Sequence, residues 1–327
     1  MDVLSKPIFS VIIPCYNSKS YIDRGIISLE KQSFKNFEVI FVDDCSTDGT
    51  YDFLLGYQER SNLNIQVFRN FKNSGPGASR NFAIQKAKGE YLTFMDSDDW
   101  YESDTLEQCY KYINSESSDL IFFDYYRCFN EKKRNYINCT NNFSKRADTA
   151  SRIAHCFDSL CTICVKKDLF DNISIPHLYN AEDSVTIPIL ISRAQQISII
   201  SKPLYNYLYR ISSLSTSKNV EVAKSLSDAY EYLKENISEQ YSNSVQFRGI
   251  KMILYGSVYK ALEARISHRE VISIIEVFEL LNKSWVDNIY ISDLPIRKQF
   301  FLYLVRKKLF FLLNIYIYIQ NFILKSK

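Results

Sequence analysis

A chain of 327 residues with 46% hydrophobic content can bury a substantial core and still carry a second, smaller region. A formal net charge of +3 does not mark a nucleic-acid binder, and eight cysteines in so large and apolar a chain do not make a disulfide framework. Met1–Pro7 holds Asp2 and no apolar run, so no secretion leader is expected and a reducing, cytoplasmic setting is the simpler expectation.

The first predicted element is a strand, Phe9–Ile13, that runs into Pro14-Cys15-Tyr16-Asn17. Ser20–Gln32 follows with Ile22, Ile26 and Leu29 at helical spacing and leads to a second strand, Phe37–Val42, giving a βαβ unit. That strand ends in Asp43-Asp44-Cys45-Ser46-Thr47-Asp48-Gly49, a turn in which Asp48 or Thr50 caps a helix from near Tyr51. Ile65, Val67 and Phe68 mark a third strand. Gly75-Pro76-Gly77-Ala78-Ser79-Arg80-Asn81 then reads as a backbone that passes close to a ligand, with Arg80 opening a helix through Ala83, Ile84 and Ala87. The Gly-Lys-Ser/Thr ending of a Walker loop is missing.

The run Tyr91–Met95 ends abruptly in Asp96, Asp98 and Asp99. Carboxylates gathered at the mouth of an interior strand repel one another unless a cation sits among them. Three apolar strands ending in polar, acid-bearing loops place a site at the carboxyl edge of an open α/β sheet. Trp100-Tyr101 leads into a helix, Leu120–Phe123 is a further strand, and Tyr136–Ser151 is a polar loop or hairpin. A helix and a strand through Ile163 and Val165 follow, in which Cys161 and Cys164 read as buried free thiols because no second pair stands at zinc spacing.

On Pro-x-Tyr-Asn, Asp-Asp-x-Ser-x-Asp and Asp-x-Asp the chain resembles a bacterial family 2 glycosyltransferase of the non-processive, surface-polysaccharide type. The resemblance implies the GT-A fold, a mostly parallel mixed α/β sheet with flanking helices that holds a nucleotide-sugar and a divalent metal, Mn²⁺ or Mg²⁺. It implies that Tyr16, behind Pro14, stacks on the base, that Asp44 accepts the imide proton of a uracil or thymine, and that Arg80 faces the nucleotide. Asp98 is then placed on the metal and Asp96 nearer the ribose. In the same family a Glu-Asp pair at a helix start supplies the base, which here is Glu182-Asp183 within Tyr179–Val185, with Pro188 in the first turn or at a kink. Asp183 would take the proton of the attacking hydroxyl while Glu182 orients it or contacts the acceptor. Arg210, ahead of Ser212-Ser213-Leu214-Ser215, is the implied diphosphate clamp.

From Val220 apolar residues recur every three or four positions, which predicts a helical appendage. Arg297–Lys327 holds seven basic residues and no acid; removing them from the 40 Lys and Arg leaves 33 against 37 Asp and Glu, so the basic character belongs to the tail. Its apolar, aromatic run Leu309–Leu324 is short for a membrane crossing. A helix lying on an anionic membrane is expected, with a homo-oligomer interface as the rival.

The expected organisation is a GT-A catalytic domain over 1–217, with its donor half about 1–100 and its acceptor half about 101–217, a helical region over 218–295 and a basic aromatic tail over 296–327. The expected activity is inverting, metal-dependent transfer of one hexose or N-acetylhexosamine from a UDP-sugar to a hydroxyl of a bacterial surface glycan or lipid-linked precursor. Lipopolysaccharide, capsule and teichoic acid are the acceptor classes in view, at the inner face of the cytoplasmic membrane. The alternatives are a transferase using a dTDP-sugar and a non-catalytic nucleotide-sugar-binding scaffold. A nucleic-acid partner is not expected, because the tail's charge is interleaved with bulky apolar residues.

Overall fold

The computed structural model describes residues 6–129, 133–178, 181–210 and 220–325. The chain divides into two compact units, the first Met1–Ala147, His155–His177 and Leu190–Ile211, the second Asp148–Ala154, Leu178–Ile189 and Ser212–Lys327. The boundary expected at 217 lies outside the described residues.

The first unit is built on one nine-stranded sheet. Strands β1 (Phe9–Cys15), β2 (Phe37–Asp43), β3 (Asn64–Arg69) and β4 (Tyr91–Phe94) are parallel in the order β3-β2-β1-β4. Helices α1 (Ile22–Glu30), α2 (Thr50–Arg60) and α3 (Gly75–Lys86) make the crossovers. Every residue of β1, β2 and β4 is buried, which is why these strands read as unbroken apolar runs rather than alternating ones.

The chain continues through β5 (Trp100–Tyr101), α4 (Thr105–Glu116), β6 (Leu120–Cys128), β7 (Arg134–Ile137), the short helices α5 (Asn141–Ser144) and α6 (Thr149–His155), β8 (Ile163–Lys166), α7 (Glu182–Arg193) and β9 (Ile197–Leu208). The sheet extends from β4 as β8-β6-β9-β5, with β7 on β6; of the stretch Tyr136–Ser151 expected as a polar loop or hairpin, only the start belongs to β7, and α5 and α6 occupy much of the rest. Because β8 is antiparallel to both β4 and β6, and β9 is parallel to β6, the carboxyl ends of β1, β2, β3, β4, β6 and β9 share one edge. Strand β9 runs twelve residues through Pro203, where its register against β6 shifts.

The amino edge is fixed by Glu38, a fully buried carboxylate on β2. It accepts hydrogen bonds from Ser10 Oγ (2.6 Å), Gln66 Nε2 (2.8 Å) and the backbone N–H groups of Lys88 (2.6 Å) and Gly89 (3.2 Å), so the buried charge is fully paired. A Cβ at Gly89 would lie 2.5 Å from Ser10 N, so no other residue fits where α3 turns into β4.

The second unit contains α8 (Val220–Asn236), α9 (Ser242–Gly249), a π-helical segment Ile250–Ser257, α10 (Val258–Glu263), α11 (His268–Leu281), α12 (Ile296–Arg306) and α13 (Phe310–Lys325). These are the predicted helical appendage and tail. Leu233, Phe247, Leu254, Phe278 and Phe301 are among its buried apolar side chains. Gly249 enters the wide segment where a Cβ would meet the Tyr230 ring at 2.5 Å.

One feature of the second unit departs from the sequence reading. Of the two places expected for Pro188, the first turn is excluded, since it is the seventh residue of α7, inside the helix. Lacking an N–H, it cannot donate to the carbonyl of Ser184 one turn back. The fully buried guanidinium of Arg248 supplies the missing donor, with Nη2 at 2.6 Å from Ser184 O. Leaving this part-buried carbonyl unmet would cost up to about 1–3 kcal/mol, so an arginine from α9 helps make an interior proline tolerable in the helix that carries Glu182 and Asp183.

Candidate functional site

At the shared carboxyl edge, β1 ends in Pro14 and Cys15. The pairing of β1 with β4 stops at Ile12 and Phe94, so Pro14 stands past that ladder, where a missing N–H breaks nothing. Tyr16 follows with 51% of its surface exposed. Asn17 turns the chain with φ 49°, a left-handed conformation that asparagine tolerates. It fastens the turn to the acidic loop after β2: its N–H donates to Ser46 Oγ (2.9 Å) and its Oδ1 accepts from Thr47 N (2.9 Å).

Asp43 shapes that loop, accepting from Ser46 N at 3.1 Å and pairing with Arg69 Nε at 3.3 Å. Asp44 does something the sequence did not announce. Its buried carboxylate accepts from Asn70 Nδ2 (2.7 Å), Ser74 N (3.0 and 3.1 Å) and Gly75 N (2.7 Å). Ser74 N and Gly75 N are backbone donors at the start of α3, where helix geometry offers no internal acceptor and a negative charge is favoured. The glycine-rich stretch expected to be a loop is therefore the first turn and a half of α3, begun five residues before Arg80 with Gly75 at φ 84° and Pro76 in the first turn.

The loop after β4 is organised by Arg80, Arg210 and Tyr205. Arg80, 4% exposed, reaches Asp96 Oδ1 with Nη2 at 2.7 Å. Arg210 forms an ion pair with Asp98 and lies 4.7 Å over the ring of Tyr21. Asp99 is fully buried and accepts from Tyr205 Oη (2.6 Å) and Leu208 N (2.7 Å), while the same tyrosine oxygen accepts from Asp96 N (3.1 Å). Ser97 is joined to Ser18 at 2.6 Å. The loop is thus held from β1 and from the end of β9, and Asp99 is its anchor.

Electrostatics separates the three acids. Burial and then the neighbouring Asp96 raise Asp98 above the usual carboxylate range, with Arg210 opposing. Asp99 is raised much further by burial, Asp98 and Asp96, and Tyr205 is pushed well up by burial and Asp99. The excess negative charge is what a cation relieves. Among the described residues no group of three or more His, Cys, Asp or Glu is placed to hold a metal ion alone. Two carboxylates on one loop are oxygen donors of the kind a hard cation would take, short of a full protein ligand set.

Nearby, the Arg24 guanidinium lies 4.4 Å over Trp100, and Arg134 bonds Glu102 at 2.7 Å while covering Tyr126 at 4.1 Å. All eight cysteines are free, and Cys161 and Cys164 are buried. Glu182 and Asp183 open α7 and belong to the second unit, half-buried, with Glu182 O accepting from Thr186 Oγ1 at 2.7 Å. Tyr179, Asn180 and Ser212–Ser215 of the expected motifs lie outside the described residues. Sequence reasoning took Asn17 only as part of the Pro-x-Tyr-Asn motif and missed Asn70, Tyr205 and Arg248, none of which carries a local signal.

The chain is 42% identical over 115 residues to poly(ribitol-phosphate) beta-N-acetylglucosaminyltransferase TarS of Staphylococcus aureus, a match covering 35% of this chain and 20% of TarS. The stretch is therefore about a fifth of that relative. The crystal structure of S. aureus TarS 1-349 in complex with UDP-GlcNAc superimposes with a TM-score of 0.74 at 25% identity, over 96% of this chain and 92% of that one. The mannosyltransferase PcManGT of Pyrobaculum calidifontis, in complex with GDP-Man and Mn²⁺, shares the fold with a TM-score of 0.59 at 15% identity, over 93% and 87% of the two chains. The model for glycosyl transferase family 2 matches residues 10–181, more than half of the sequence, and the chain belongs to that family.

Proposed function

We propose that this chain transfers a single hexose or N-acetylhexosamine from a UDP-sugar to a hydroxyl of a bacterial surface glycan or its lipid-linked precursor, with inversion at the anomeric carbon. The observation that carries the reading is the carboxyl-edge pair Asp96 and Asp98, each countered by an arginine, in a family 2 chain. The UDP-GlcNAc held by TarS supports a uridine donor, and the name of that relative supports a phosphate-bearing polyol among the acceptors.

The exposed ring of Tyr16, presented by the turn after Pro14, stacks on the base. Asp44 accepts the imide proton on oxygens it shares with the start of α3. Arg80 acts on the donor through Asp96, which it orients toward the ribose. Asp98 would hold Mn²⁺ or Mg²⁺, a reading supported by the Mn²⁺ in the PcManGT complex. Bound there, the ion supplies positive charge to the leaving diphosphate. Arg210 adds its guanidinium to the same phosphates as charge builds on them. Asp183 takes the proton from the acceptor hydroxyl, with Glu182 orienting it.

The test is a panel of nucleotide-sugars with Mn²⁺, Mg²⁺ or chelator, scored for binding and hydrolysis. Metal-dependent, selective turnover of one UDP-sugar is the expected result. A dTDP-sugar preference would move the donor class, and binding of neither by folded protein would overturn the reading.

No described helix is long and apolar enough to cross a membrane. On α13, Leu313 and Ile317 are buried, while Phe311, Tyr318 and Phe322 are 77%, 74% and 68% exposed. Arg306, Lys307 and Lys308 precede this apolar face, and Lys308 is paired with Glu276 at 2.6 Å. An aromatic face beside basic residues suits the interface of an anionic bilayer, and we assign the tail to peripheral contact with that surface. Full-length protein should sediment with vesicles containing phosphatidylglycerol and much less with pure phosphatidylcholine. A stable oligomer that ignores both vesicles would assign the face to a second copy instead.

A further inference from the structure

We infer that Arg210 occupies the cation position at Asp98 until a nucleoside diphosphate takes its guanidinium over, so that divalent metal and donor strengthen each other's binding. This rests on the donor reading above and concerns the order and coupling of binding.

Asp98 has a side chain 15% exposed, and burial together with Asp96 makes its negative charge costly. Arg210 meets that charge directly, as Arg80 meets the charge of Asp96. A metal ion arriving alone would have to break the Asp98–Arg210 pair, would find no third protein carboxylate, imidazole or thiolate among the described residues, and would face the displaced guanidinium at close range. Breaking a partly buried charge pair without giving the freed cation a new partner is unfavourable.

A diphosphate removes all three obstacles. It brings oxygen ligands for the metal and an acceptor for the guanidinium. Arg210 is suited to the exchange. Its Nε is buried and has no hydrogen-bond partner among the described residues, while Nη2 holds Asp98. A guanidinium presents Nε and Nη as parallel donors that match two phosphate oxygens. Arg210 also stands two residues beyond Leu208, whose N–H is pinned by Asp99. The strand end below it is tied to the acidic loop, and the guanidinium lies over the ring of Tyr21, a surface across which a side-chain rotation can carry it.

Mn²⁺ binding, followed on full-length protein by the electron spin resonance signal of free Mn²⁺ without any sugar donor, tests this. Wild type should bind Mn²⁺ weakly alone and about tenfold or more tightly with UDP, a coupling of about 1.4 kcal/mol. Arg210→Met should raise nucleotide-free Mn²⁺ affinity, lower UDP affinity and shrink the coupling. Arg210→Lys, which keeps the charge, should keep nucleotide-free Mn²⁺ binding weak, and Asp98→Asn should abolish it in both variants. If UDP binds wild type but Arg210→Met leaves nucleotide-free Mn²⁺ affinity unchanged or lower, the inference fails while the donor reading stands. If UDP does not bind folded wild type at all, both fail.

Discussion

Asp183→Asn should lower turnover by about 10²–10⁴-fold, the usual contribution of a positioned general base, with UDP affinity unchanged. The substitution keeps the size and shape of the side chain and removes only its ability to hold a proton. It also separates catalysis from capping. Asp183 lies in the first turn of α7, where a carboxylate is favoured by the helix terminus, but asparagine satisfies a helix start about as well as aspartate does. A residue serving only the helix would therefore tolerate the change, in turnover and in melting temperature alike. Unchanged turnover in a folded Asp183→Asn protein would remove this residue from the mechanism. Glu182→Gln, one position away, should have the smaller effect.

Asp98→Asn should erase the difference between donor binding with Mn²⁺ and donor binding with chelator. The asparagine keeps one oxygen ligand but loses the charge that Asp98 carries against Arg210. A loss of about tenfold to a hundredfold in metal-dependent affinity is the scale of one charged ligand interaction, about 1.4–2.8 kcal/mol. Normal metal dependence in the variant would take Asp98 off the ion. A pH titration adds a check with a definite sign. Burial and Asp96 raise Asp98, so its protonated form persists to higher pH than for an exposed aspartate. Metal-dependent binding in wild type should accordingly fade on acidification at a higher pH than an ordinary aspartate would dictate.

The strands that build the donor edge were legible because β1, β2 and β4 are buried on both faces, which leaves an unbroken apolar run that turns polar at the edge. The placement of Tyr16, Asp44, Asp96 and Asp98 at that edge was legible for the same reason, since each stands at or just beyond such an ending, while their roles rest on the family resemblance. The start of α3 was not. Glycine and proline at 75–77 describe a loop or a helix start equally well, and the choice is made by Asp44, some thirty residues earlier, meeting Ser74 N and Gly75 N. Pro188 reads locally as a helix breaker. Its place inside α7 depends on Arg248, sixty residues later.

The sequence by itself therefore determined the family, the α/β sheet with its carboxyl-edge acids, the helical appendage and the basic aromatic tail, because periodicity and short motifs are local. Only the tertiary structure decided which charge meets which. It matched Arg80 with Asp96, Arg210 with Asp98 and Tyr205 with Asp99. Such pairings join side chains far apart in the chain, and nothing in residue order states which arginine a buried carboxylate will find.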